Sequence, residues 1–132
     1  MISSNNRWLI HTLLVGLIPI LTRLLAWAST TGDTIAPVAV ADFITLGLVV
    51  HVSILNEMEH LSIPEPAAKA LLNAFSILFI TCYGTLYALV ALNDRNAELI
   101  NVTVVLYASI ALCFLSATVG FILFQYSKRS IQ

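Results

Sequence analysis

The sequence predicts an all-α membrane protein: four transmembrane helices in an antiparallel bundle, with both termini cytoplasmic. Three observations lead there. Of 132 residues, 59% are hydrophobic and only 10% charged, and the mean hydropathy is +0.94, a balance that a soluble domain of this size cannot hide from water. Apolar runs of about 20 residues, the length that crosses roughly 30 Å of hydrocarbon, recur four times. The segments between them are short, so residues 1–132 are expected to form a single transmembrane domain.

The first helix is expected over about residues 8–28, with Trp8 and Trp27 as aromatic anchors at the two interfaces. Pro19 removes an internal hydrogen bond and predicts a bend. The run is too long for a signal peptide, and Trp27 interrupts the small-residue cleavage pattern Ala26-Trp27-Ala28, so it is read as retained. A short loop ends at Pro37, well placed to open a second helix over about 38–55. A polar loop from Asn56 to Pro66 follows, carrying Glu57, Glu59, His60 and Glu65 without Lys or Arg. Met58, Leu61 and Ile63 alternate with its charges, which suits an interfacial segment or a short helical extension. The third helix is expected over about 67–92, with Lys69 able to snorkel to the headgroups. The turn Asn93-Asp94-Arg95-Asn96 joins it to a fourth helix over about 99–126.

Lys and Arg counts orient the bundle. The N-terminus, second loop and C-terminus hold Arg7, Lys69, Lys128 and Arg129, against Arg23 and Arg95 on the other side. This favours both termini in the cytoplasm. The absence of a basic block argues against direct nucleic-acid binding. Cys82 and Cys113 form no CxxC pair and read as small buried hydrophobes.

Ionisable groups at membrane depth are functional candidates by default. Arg23 falls about one turn from the end of the first helix and Asp42 about one turn into the second, so a short connection brings them to one depth. The expected Arg23 to Asp42 ion pair admits two readings, a gate or proton-linked site and a clasp that sets helix register. His11 and His51 share a depth at the other end, where they could hold a bis-histidine haem or a metal, the haem only if both faced one cavity. At about 100° per residue, however, His51 lies opposite Asp42 on the second helix, and hydrogen bonding across helices is the alternative role.

Two faces of the second helix carry features that lipid does not favour. One runs through Asp42, Thr45, Val49, Ser53 and Asn56; the other through Ile44, Gly47, His51 and Ile54, where Gly47 permits close approach. One face is expected to pack within the chain and the other against a second subunit. On the third helix, Asn73, Ser76, Ile80, Gly84, Tyr87 and Ala91 keep a 3–4 spacing; on the fourth, Ser109, Cys113, Ser116 and Gly120 do so. Such stripes serve helix packing, oligomerisation or a water-lined pore. The acidic group Asn56, Glu57, Glu59, His60 and Glu65 is either a solvated loop or a docking edge for a basic soluble partner. It matches neither EF-hand nor HExxH spacing, so no metal is expected.

Catalysis and cofactors are not expected. No Ser-His-Asp arrangement or phosphate-cradling glycine loop is present, the cysteines are not paired as in four-helix membrane thiol oxidoreductases, and the acidic residue that small multidrug transporters carry in their first helix is missing.

The run Asp42-Phe43, Gly47-Leu48-Val49-Val50-His51 and Asn56-Glu57 resembles small four-span bacterial membrane proteins of antiphage defence systems, most nearly the membrane subunit of the Kiwa system, with the membrane effectors of type III CRISPR systems second. The resemblance covers the second helix and its exit. It implies a homo-oligomer in the bacterial inner membrane that senses membrane disturbance or opens a pathway beside a soluble partner. The residues it carries over are Asp42, His51, Asn56 and Glu57. A stand-alone ion channel or transporter and a b-haem anchor are the alternatives from other classes.

Overall fold

A computed structural model describes residues 4–32, 34–60, 65–96 and 99–129, and among these every regular element is helical. The described residues form four helices: α1 (Ser4–Ser29), α2 (Val40–His60), α3 (Pro66–Asn93) and α4 (Val102–Arg129). Each holds a stretch long and apolar enough to cross a membrane. At 1.5 Å per residue even α2, the shortest, reaches about 31 Å.

Local chemistry sets the ends. Pro66 occupies the first turn of α3, where a missing N–H costs nothing. Asn101 accepts the backbone N–H of Val104 through Oδ1 at 3.3 Å and so caps α4, which begins at Val102 rather than near Leu99. Gly32, at φ +98°, supplies a left-handed residue in the first loop. In α1 the Thr22 hydroxyl bonds the Ile18 carbonyl at 2.9 Å beside Pro19.

The second helix is longer than its hydropathy suggests. Asn56, Glu57, Met58, Glu59 and His60 all lie on α2 rather than in a loop. Met58 explains the extension: it is fully buried and joins Val50, Ile54 and Leu123 in one apolar cluster. The polar neighbours turn outward on the same turns.

α2 is the centre of the bundle. It packs against α1, α3 and α4, whereas α1 and α3 do not touch within the described residues. The face through Ile44, Gly47, His51 and Ile54 is covered inside the chain, whereas on the other face only Asp42 is buried, Val49 and Ser53 are half-buried, and Thr45 and Asn56 stay exposed. Gly16 of α1 admits Leu46 of α2, whose side chain stands where a methyl group on Gly16 would be. Gly47 of α2 admits the Tyr83 ring of α3 in the same way. Close approach of this kind is the main source of association where lipid tails are as apolar as the helices themselves.

Candidate functional site: a buried polar chain and an ion pair on α2

Two polar constellations lie along α2. At its start, the Arg23 guanidinium of α1 donates through Nε to Asp42 Oδ2. Asp42 stands in the first turn of α2, where unpaired backbone N–H groups favour a carboxylate. Its side chain is 10% exposed and that of Arg23 32%. The end of α1 is thereby tied to the beginning of α2.

The second constellation surrounds His51, which is completely buried. Its Nε2 lies 2.8 Å from Ser116 Oγ on α4, and its Nδ1 3.3 Å from Ser76 Oγ on α3. Tyr83 of α3 places its hydroxyl 2.8 Å from the same Ser116 Oγ. Ser116 donates its own proton to the Leu112 carbonyl at 2.8 Å. Its oxygen is then left with two lone pairs, which accept from His51 Nε2–H and from the Tyr83 hydroxyl. Proton counting thus assigns the Nε2–H tautomer, with Nδ1 accepting from the Ser76 hydroxyl. Cys113 extends the chain by donating to the Phe43 carbonyl of α2 at 3.0 Å. Phe79 stacks on the imidazole, ring centroids 4.7 Å apart.

This chain bonds α2, α3 and α4 to one another at mid-span. Ser116, Cys113 and Gly47, expected as packing residues, all belong to it or border it, and Ser109 and Gly120 are buried along the same inner face of α4. The α4 seam is consequently used within the chain. Tyr83 is the member that sequence reasoning missed. The signal was available in a mid-helix glycine one turn from His51, since a missing Cβ at membrane depth calls for a large partner ring.

The inward stripe of α3 lies one residue out of phase with the expected one. The inward face runs through Leu72, Ser76, Phe79, Tyr83, Leu86 and Val90, while Asn73, Gly84, Tyr87 and Ala91 are exposed. Only Ser76 and half-buried Ile80 of the expected stripe turn inward. Ser53 is half-buried and Thr45 exposed, its hydroxyl bonded back to the Ala41 carbonyl at 2.8 Å. The run from Asp42 to Asn56 is thus no continuous polar lining.

His11 is exposed on α1, whereas His51 is enclosed by Ser76, Phe79 and Ser116. The two imidazoles do not share a cavity, and the bis-histidine arrangement is not formed. Among the described residues no three His, Cys, Asp or Glu side chains gather as a metal site. At the far end of α2, Asn56, Glu59 and His60 are exposed and Glu57 half-buried, with Glu65 exposed across the connection. Leu61 and Ile63 lie outside the described residues.

The chain matches no protein-family model, no curated protein and no solved structure. Its class rests on the fold: an all-helical chain whose four long apolar helices suit a multi-pass membrane protein.

Proposed function

We propose that this protein is the membrane component of a bacterial antiphage defence complex, a homo-oligomeric sensor or scaffold that acts through a soluble cytoplasmic partner and catalyses no reaction itself. On this reading the helices cross the inner membrane as an antiparallel bundle with both termini cytoplasmic, the orientation favoured by the distribution of Lys and Arg. The observation that carries the reading is the course of α2. One helix begins at the Arg23–Asp42 pair, passes through the His51 chain and ends in exposed Asn56, Glu59 and His60. A shift at either membrane site reaches that acidic end through a rigid element packed against three neighbours, not through a loop. The resemblance carried by Asp42, His51, Asn56 and Glu57 supports the same assignment, and the closed His51 chain favours a sensor or scaffold over a standing pore.

Affinity capture from native membranes, followed by mass spectrometry, tests the proposal. A soluble protein encoded beside this chain is expected to co-purify with it and to be lost from a Glu57→Lys, Glu59→Lys double variant, together with protection against phage. A monomeric preparation with no soluble companion would end the proposal.

A further inference from the structure

The seam between α3 and α4 is incomplete. Near the start of α3 and the end of α4 the helices part, leaving a groove of about 470 Å³, within the usual range of small-molecule sites. Leu72, Phe79 and Val119 form its half-buried floor, and Phe75, Leu115 and Ile122 its exposed rim. Thr118 is the one polar residue in the lining, and its hydroxyl is already bonded to the Phe114 carbonyl at 2.9 Å. The groove therefore offers its occupant apolar contact alone.

Its shape restricts the occupant further. Along α3 the lining runs from Ala68 to Phe79, which at 1.5 Å per residue is about 16 Å, the hydrocarbon depth of one leaflet. Beyond Phe79 the seam is closed, because Tyr83 and Ser116 join α3 to α4 at 2.8 Å. A helix from a second copy would need a seam running the whole span. A slot about one leaflet long and blind at mid-depth suits a single acyl chain.

The Ala68 end of the groove also has a charge. α3 begins there at Pro66, its first-turn N–H groups uncapped by the Glu65 side chain, and Lys69 lies one turn before Leu72. Helix N-terminal N–H groups and a lysine both favour a phosphate. Glu65, exposed just before Pro66, opposes them. The geometry points to an acyl-chain site for an anionic glycerophospholipid, with one chain against Leu72, Phe75 and Phe79 and the phosphate at Lys69 and the first turn of α3. The end of that chain meets Phe79, whose ring stacks on His51, so the site adjoins the buried polar chain. The inference requires only that the helices span a membrane and is independent of any soluble partner.

Fluorescence quenching tests it. With Trp8 and Trp27 replaced by phenylalanine, Phe75→Trp places one reporter on the groove rim. Phosphatidylglycerol brominated in its acyl chains is expected to quench it with about five-fold higher apparent affinity than brominated phosphatidylcholine, as one nearby lysine warrants. Lys69→Gln is expected to abolish that preference while leaving quenching itself. Equal quenching by both lipids before Lys69 is changed would reduce the groove to ordinary lipid contact and overturn the inference. No quenching by either lipid, with a dimer in detergent, would mean that a second copy covers it and would overturn the inference equally. The unaltered protein supplies a check free of folding effects: in native mass spectrometry it should retain phosphatidylglycerol through a detergent wash that strips phosphatidylcholine, and loss of both would count against the site.

Discussion

Arg23 and Asp42 are unequal partners. Asp42 is short and nearly buried, while Arg23 is a third exposed and long enough to snorkel toward the interface if released. Arg23→Met strands a carboxylate in an apolar site, a loss of several kcal/mol in buried pairs that the dipole of α2 offsets by only about 1 kcal/mol. Asp42→Asn leaves a cation with a route to water and should cost about 1–2 kcal/mol, a discount for exposure on the buried-pair figure. Denaturation in mixed detergent micelles should show Arg23→Met the less stable, with Asp42→Asn restoring part of the loss when combined with it. Equal losses would deny the asymmetry.

At His51 the magnitudes rank packing above hydrogen bonding. Interhelical hydrogen bonds in membranes average about 0.6 kcal/mol, whereas large-to-small changes in packed interiors cost roughly 2–5 kcal/mol. His51→Leu, which keeps most of the volume, should therefore cost about 1 kcal/mol, and His51→Ala two or three times as much in the same unfolding assay. The glycines separate in the same way. A methyl on Gly47 overlaps the Tyr83 ring, and Gly47→Ala should destabilise by roughly 1–3 kcal/mol. Gly120→Ala meets Ile54 Cδ1 and Val50 Cγ1 at an ordinary 3.9 Å and should be neutral or slightly stabilising.

Among the elements, α2 shows where hydropathy misleads about length. Its apolar run ends at Leu55, but the helix continues to His60 because Met58 packs against Leu123 of α4. A buried residue every turn is enough to hold a helix together past the point at which its composition turns polar. Met58→Ala should destabilise the protein by about 2–3 kcal/mol, whereas Glu59→Ala, exposed on the next residue, should stay within about 0.5 kcal/mol. The inner face of α3 was illegible for a related reason. Nearly every residue from Ala67 to Leu92 tolerates lipid, so two stripes one residue apart look equally good, and only the fit of Tyr83 over Gly47 selects between them.

For the molecule as a whole, the location of small residues decides which surfaces remain for assembly. The α4 seam and the Ile44, Gly47, His51 and Ile54 face of α2 are spent inside the chain, while Thr45 and Asn56 on the other face of α2 stay exposed. The outer stripe of α3 is still open: Asn73, Gly84 and Tyr87 are exposed, and a side chain at Gly84 would meet nothing. If the proposed homo-oligomer forms across that stripe, Gly84→Leu should reduce the assembled size in detergent without lowering the stability of the protomer. An unchanged assembly would move the subunit contact to another face.

What the sequence by itself determined is the class of structure and one contact. Four apolar runs of spanning length follow from the cost of unbonded backbone in lipid, and the meeting of Arg23 with Asp42 follows from equal depths on helices joined by a short loop. Only the tertiary structure decided that His51 is enclosed in a chain with Ser76, Ser116 and Tyr83, that the α4 seam faces α2, and that α2 carries the acidic cluster on its last turns. The reason is physical. In water the polar and apolar faces of a helix separate by solvation, and their period can be read from the residues; in lipid both faces are apolar, and the inward one is chosen by steric fit and hydrogen-bond partners on other helices.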